Sequence, residues 1–310
     1  MLYCLKKRFQ IARKAADTRL RGRPNVIGSG LGIKISEGIR TDEPCLTVFV
    51  RRKRSEDKLR NEELIPKEVR RYGLDLPTDV VVLKVPQFEA GINIIDGGTE
   101  GGTVGSFGRH AQEFVGVTCE HCIRGPDGNS ATPDNITALN LPGAGGPLQL
   151  GKSGPAILVP GTGFMPNFGE MDAGLIHLQL APLVNVLMQK PRRSVFKPPS
   201  STISRKEIEE LLLFTPVRGV GARSGPVSAR IGGLLLKIGN LLFDFMVETI
   251  DGQPITQGGD SGLMWITQPG SAFGLHSRGD GMGPGGRSLR SFGAFAYRIE
   301  EAFGLWLVED

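Results

Sequence analysis

Apolar and polar positions change their period several times along this chain. Residues 5–21 place Leu5, Phe9, Ile11, Ala12, Ala15, Ala16 and Leu20 among many cations. That loose helical spacing predicts a basic helix or arm over 1–24, ending before Gly22 and Pro24. From Asn25 the texture becomes β-like. Val26-Ile-Gly-Ser-Gly-Leu-Gly-Ile-Lys-Ile and Cys45-Leu-Thr-Val-Phe-Val-Arg-Arg flank a polar link and read as a hairpin. Residues 55–72 read as helical or irregular, and Asp79-Val-Val-Val-Leu-Lys-Val as another strand. A small α+β module over 25–90 is therefore expected.

Beyond residue 97 the pattern is strand and loop, with Phe114-Val-Gly-Val-Thr leading to His121. The Gly/Pro/Asn-rich stretch 125–170 predicts surface loops and short strands, and the prolines of 190–203 predict a linker. Ser204-Arg-Lys-Glu207 has the form of a capping box opening a helix from Arg205 to Phe214. Strands resume at Val217, Val227, 231–238 and 241–247. Ile299, Phe303 and Leu307 then give a closing helix over Tyr297 to Val308.

Composition sharpens this picture toward β. Forty-four Gly and 21 Pro among 310 residues imply many turns. The longest apolar stretch, Ile231 to Val247, is broken by Lys237, Asn240 and Asp244, so a membrane span is not expected. The N-terminus lacks the apolar centre of a secretory signal, which sets a cytoplasmic expectation. Residues 1–90 carry 20 Lys and Arg against 12 Asp and Glu, the remainder 17 against 20. Clusters such as Arg51-Arg-Lys-Arg54 can attract nucleic acid or anionic lipid, or form a solvated edge that discourages strand pairing.

Three short strings carry chemistry: Thr118-Cys-Glu-His121-Cys122, Asp172-Ala-Gly-Leu-Ile and Gly259-Asp260-Ser261-Gly262. A hydroxyl is a poor nucleophile at neutral pH, so acyl transfer needs a base and a carboxylate that orients it. The chain order His, Asp, Ser excludes an α/β-hydrolase arrangement, which runs Ser, Asp, His, and a subtilisin arrangement, which starts from Asp. Cys119 and Cys122 form a C-x-x-C with neither the further ligands of a zinc site nor a thioredoxin-like setting. No metal or cofactor is expected, and Cys122 is expected to pack as a small apolar side chain beside the histidine.

These strings resemble the blocks of chymotrypsin/trypsin-like serine peptidases, and Gly274-Leu-His-Ser-Arg-Gly279 resembles the strand that pairs with substrate in that family. Glu43-Pro-Cys-Leu-Thr-Val-Phe-Val-Arg-Arg-Lys within 25–90 resembles the leader module of intracellular bacterial relatives of plant Narrow Leaf proteins. The resemblance implies a mainly β fold, a double β-barrel behind the N-terminal module. His121 and Asp172 would lie in a first barrel over 91–195, and Ser261 in a second over 196–310.

It also implies roles. Ser261 attacks the scissile carbonyl, His121 moves the proton, Asp172 fixes the tautomer, and the N–H groups of Gly259 and Ser261 face the oxyanion. Ser277, Arg278 and Gly279 line the substrate, with Ile255 on the pocket floor in place of an acid. Arg278 either narrows the cleft or favours acidic substrate residues, or else points to solvent, and His276, His110 and His177 are expected to be structural or surface residues. Asp260 lies far from any native amine terminus and needs a cation or backbone donors inside the fold. The implied partner is a protein or peptide substrate, with substrate gating or self-association by the module also open. Two other readings remain: a catalytically latent binding or scaffold protein, and a protease tethered to nucleic acid by its basic arm.

Overall fold

The computed structural model describes residues 11, 20, 23, 25–36, 39–55, 58–71, 74–83, 87–88, 94–96, 101–111, 113–124, 135–138, 147–179, 199–210, 213–267 and 270–307. The architecture is mainly β. Strands β1 (Val26–Ser36) and β2 (Ile39–Val50) form the expected hairpin, and β3 (Glu68–Arg71) and β4 (Leu74–Val82) follow. β4 lies parallel to β2 and antiparallel to β3. Residues 58–67, read as helical or irregular, are turns and extended chain leading into β3. Next come β5 (Gln87–Phe88), β6 (Ile94–Asp96), β7 (Gly101–Gly102), β8 (Ser106–His110), β9 (Glu113–Thr118), β10 (Asn135–Ala138), β11 (Leu148–Val159) and β12 (Met171–Leu178). β11 runs twelve residues where loops and short strands were expected, bent by a register shift between Ser153 and Ala156.

The remaining elements are β13 (Ser201–Thr202), helix α1 (Arg205–Glu210), β14 (Pro216–Gly221), β15 (Gly225–Ile238), β16 (Leu241–Thr249), β17 (Met264–Thr267), β18 (Ser271–Gly279), β19 (Arg290–Phe295), helix α2 (Ala296–Phe303) and β20 (Leu305–Leu307). The capping box forms, with Ser204 N–H donating to Glu207 Oε2 at 2.8 Å and Glu207 N–H donating to Ser204 Oγ at 3.3 Å. α1 is shorter than expected, because Phe214 lies at φ 86°, outside helical geometry. α2 also stops early. Gly304 adopts φ 61° as its cap, and Leu307 leaves the helix for β20.

Strands β14-β17-β18-β19-β16-β15 close into a six-stranded barrel, because β14 pairs with both β17 and β15. Phe245, Phe273, Phe295 and Trp265 are wholly buried in its core. Each such side chain contributes roughly 1.5–3 kcal/mol. A second sheet runs β20-β8-β9-β12-β11-β10-β6-β7. Ile299 and Phe303 of α2 and Leu305 of β20 pack with Val115, Val117 and Leu175 of that sheet, so the chain end straps the two units together.

The N-terminal sheet is continuous with the barrel. β15 outlasts its barrel partner β14, and its far end pairs with β1 in the register Gly28 to Ile238, Ser29 to Lys237 and Leu31 to Leu234. A Cβ at Gly28 would lie 1.9 Å from the Lys237 carbonyl oxygen, so the contact requires glycine. The basic arm lies outside the described residues except Ile11, Leu20 and Arg23. Ile11 and Leu20 are buried beside Val48, Val50 and Leu76 of the module. Of the expected linker, 190–198 lie outside the described residues, and the rest forms β13 beside β18. No helix is long and apolar enough to cross a membrane among the described residues.

Candidate active site

The histidine half is built by one turn and one strand. β9 ends at Thr118 and the chain tightens into a 3-10 turn, Glu120–Cys122, lying over β12. β12 pairs with β9 through Gly174 and Thr118, and a Cβ at Gly174 would lie 2.5 Å from Ile123 Cδ1, so glycine lets the turn settle. His121 Nδ1 lies 2.6 Å from Asp172 Oδ2. Asp172 Oδ1 accepts the backbone N–H groups of Glu120 at 2.8 Å and His121 at 3.3 Å. One carboxylate, 3 % exposed, thus binds both the ring and the backbone that carries it.

The serine half is held from further away. Ser261 sits in a tight turn between Gly259 at φ 116° and Gly262 at φ 95°. A Cβ at Gly262 would lie 2.1 Å from the Thr103 carbonyl oxygen. Thr103, just after β7, clamps this turn. Its N–H donates to the Ser261 carbonyl at 2.7 Å, and its hydroxyl donates to the Gly259 carbonyl at 2.9 Å while accepting Ala222 N–H at 3.0 Å. The Ser261 hydroxyl lies 3.4 Å from the Ser277 carbonyl.

Asp260 finds its partners in the hairpin between β14 and β15. Oδ1 accepts Arg223 N–H at 2.9 Å and Ser224 N–H at 3.1 Å; Oδ2 accepts the Ser224 hydroxyl and Gln257 N–H at 2.9 Å. Four donors meet a fully buried carboxylate, three of them backbone amides. No amine terminus is needed to support it.

Ser277, Arg278 and Gly279 end β18. Arg278 does not point to solvent. Its guanidinium pairs with Glu170 Oε1 at 2.9 and 3.1 Å, crossing from the barrel to the loop before β12. Ile255 is 3 % exposed in the barrel core, leaving an uncharged position there. His276 is buried with Nδ1 at 2.8 Å from the Ser291 hydroxyl, and His177 pairs with Glu113 at the surface. The outer edge of β18 carries β5: Phe88 stands opposite Arg278 and Gln87 opposite Gly279, antiparallel.

Sulfur surrounds the histidine. Cys119 Sγ donates to the His276 carbonyl at 3.1 Å, and Cys122 Sγ lies 3.7 Å from the Ser261 carbonyl. Both cysteines are free and buried, as expected for Cys122. Burial pushes Cys119 well up. Burial also works against a Cys122 thiolate, but the Cys119 thiol and the His121 ring outweigh it, lowering Cys122 to about 6. Burial opposes the His121 imidazolium, and Cys122 together with Asp172 outweighs that, raising it to about 11.

Residues 4–82 match the NARROW LEAF 1 N-terminal domain. No curated protein matches the chain. Among solved structures it is similar to a Nocardiopsis protease, NAPase, at 16 % identity over 72 % of this chain and 99 % of that one, TM-score 0.43. It is also similar to a Cellulomonas bogoriensis chymotrypsin (16 %, 71 % and 98 %, TM-score 0.44) and to a glutamic acid specific serine protease (16 %, 69 % and 97 %, TM-score 0.43).

Several residues at the site carried no readable sequence signal. Thr103 lies in an unremarkable Gly-Thr-Val-Gly, and Ala222 to Ser224 in an ordinary hairpin tip. Asp244 did leave one, as a lone acid in an apolar run. It is fully buried, accepts Gly169 N–H at 2.7 Å and Phe295 N–H at 3.0 Å, and pairs with Arg298, whose Nη1 also donates to the Gly169 carbonyl at 3.0 Å. Burial raises Asp244, with Arg298 and the two amides working against that rise. This pair fixes the entry to β12, three residues before Asp172.

Proposed function

We propose that this chain is a serine endopeptidase, a hydrolase that cleaves peptide bonds through His121, Asp172 and Ser261. The observation that supports it most is the single Asp172 carboxylate bound both to the His121 ring and to the turn that carries it, with Cys122 of that turn against the glycine-flanked turn of Ser261. In this reading the Nδ1 proton stays on Asp172's side of the ring, which leaves Nε2 to take the Ser261 proton as Oγ attacks the substrate carbonyl. Nε2 then delivers that proton to the leaving amine, and water completes hydrolysis of the acyl-enzyme. The N–H groups of Gly259 and Ser261 face the developing oxyanion.

A substrate strand takes the edge of β18 at Ser277 to Gly279, and Ile255 leaves the pocket without an acid that would select Lys or Arg. The free cysteines suit a reducing, cytoplasmic setting. Hydrolysis of a peptide library by reduced full-length protein tests the reading. Ser261→Ala is expected to lose activity by roughly 10³-fold or more. Equal cleavage by wild type and variant would refute it, and a Lys or Arg preference would overturn the role given to Ile255.

One observation favours the latent alternative. β5 already occupies the edge on which a substrate would pair, so peptide must displace Gln87 and Phe88 first.

A further inference from the structure

Cys119, His121 and Cys122 each bring one soft donor atom to the same place, and the three atoms lie within 4.8 Å of one another. A tetrahedral zinc ion holds sulfur at about 2.3 Å and imidazole nitrogen at about 2.0–2.1 Å, which sets its donors roughly 3.5–3.8 Å apart. The observed spread therefore closes onto an ion with shifts of about an ångström. The short turn Glu120–Cys122 makes this possible, because it sets donors on residues 119, 121 and 122 around one point.

We infer that Cys119, His121 and Cys122 form a binding site for a thiophilic divalent cation of the zinc class, and that the ion closes the active site. With Nδ1 held by Asp172 at 2.6 Å, Nε2 is the ring nitrogen left to serve as the metal donor once it has given up its proton. A carboxylate behind a histidine is also the usual outer support of a zinc ligand, since it fixes the ring and raises its basicity. Two thiolates and one imidazole select zinc, cadmium or cobalt over magnesium or calcium.

The ion takes the two sulfurs as thiolates and the ring as neutral imidazole, any protons they carry passing to solvent, and three protein ligands leave a fourth position open. His121 is 14 % exposed while both cysteines are buried, so the ring is the ligand side chain nearest solvent. The same Nε2 lone pair is what the proposed peptidase needs as its base. This inference rests on that reading for its consequence, though not for the site itself.

Pure core packing is the competing account of the two sulfurs, since both sit among Val115, Leu175 and Met264. Packing requires only small apolar side chains and predicts no response to metal.

The test uses full-length protein, reduced and stripped with a chelator, then titrated with cobalt(II) and separately with zinc. Expected are thiolate-to-cobalt charge-transfer bands saturating at one equivalent, and a fall in fluorophosphonate labelling of about tenfold or more with zinc, reversed by chelator. Cys119→Ser and Cys122→Ser are expected to lose metal affinity by more than the roughly 10–100-fold that an outer-shell change costs. Whatever their metal-free labelling rates, zinc no longer alters them. Cys119→Ala and Cys122→Ala repeat the test if serine at either position fails to fold.

Absence of charge-transfer bands overturns the site, as does equal zinc inhibition in wild type and the cysteine variants. Bands without any labelling of the metal-free protein support the metal site while sinking the peptidase reading.

Discussion

The two halves of the candidate site are assembled in opposite ways. The half carrying His121 is local: Asp172 reaches both the ring and the amides of the same turn, so one strand and one turn define it. The half carrying Ser261 is set by remote elements, with Thr103 from the first sheet and the Ala222 to Ser224 hairpin tip holding the loop from both sides. A nucleophile loop rich in glycine has little conformational preference of its own, so its shape must be supplied by others. The contrast suggests that changes in the first half alter chemistry alone, while changes in the second alter stability and chemistry together.

Asp172→Asn should break this comparison most. It keeps the shape but misplaces the ring proton, and turnover is expected to fall by about 10⁴-fold with little change in melting temperature. A large loss of stability instead would show that the local half is not self-contained. Asp260→Ala strands the amides of Arg223, Ser224 and Gln257. A buried donor left without its acceptor costs about 1–3 kcal/mol, so a destabilisation on the order of 3 kcal/mol should accompany a loss of turnover. Denaturant unfolding beside peptide hydrolysis checks it.

Thr103→Val removes the hydroxyl that joins Gly259 to Ala222, and is expected to cost about 1–3 kcal/mol and roughly tenfold in turnover. If only stability moves, the clamp holds the fold and not the nucleophile. Smallest and opposite in sign is Phe88→Pro. Proline lacks the N–H that a strand ladder uses, so β5 should release β18 and peptide hydrolysis should rise by about threefold to tenfold. Unchanged KM and rate would mean that β5 does not stand in the substrate's path.

The legibility of the sequence follows the same division. Hydrophobic period showed β1, β2, β9, β15 and β16, because burial on one or both faces writes itself into spacing. His121, Asp172 and Ser261 could be singled out as candidates because the proposed chemistry restricts residue type. The partner of Asp260 could not be named, since backbone amides accept any side chain and the hairpin tip lies 36 and 37 residues upstream. Leu307 kept helical spacing yet became strand, since Gly304 ended the helix and β8 offered an unpaired edge. Asp244 looked like an interruption. Its meaning appeared only when Arg298, 54 residues later, folded back onto it.

The joining of β1 to β15 was equally hidden. Neither strand's hydrophobic pattern specifies a partner about 200 residues away, and the missing side chain of Gly28 makes room for Lys237.

The claim that Ser261 is a nucleophile activated by the His121–Asp172 pair is tested most directly by the rate and site of fluorophosphonate modification in reduced, metal-free protein. The account predicts an adduct on Ser261, formed about 10³-fold or more slowly in His121→Ala. Modification of Ser261 at the same rate in wild type and His121→Ala, or an adduct on another residue, would contradict it.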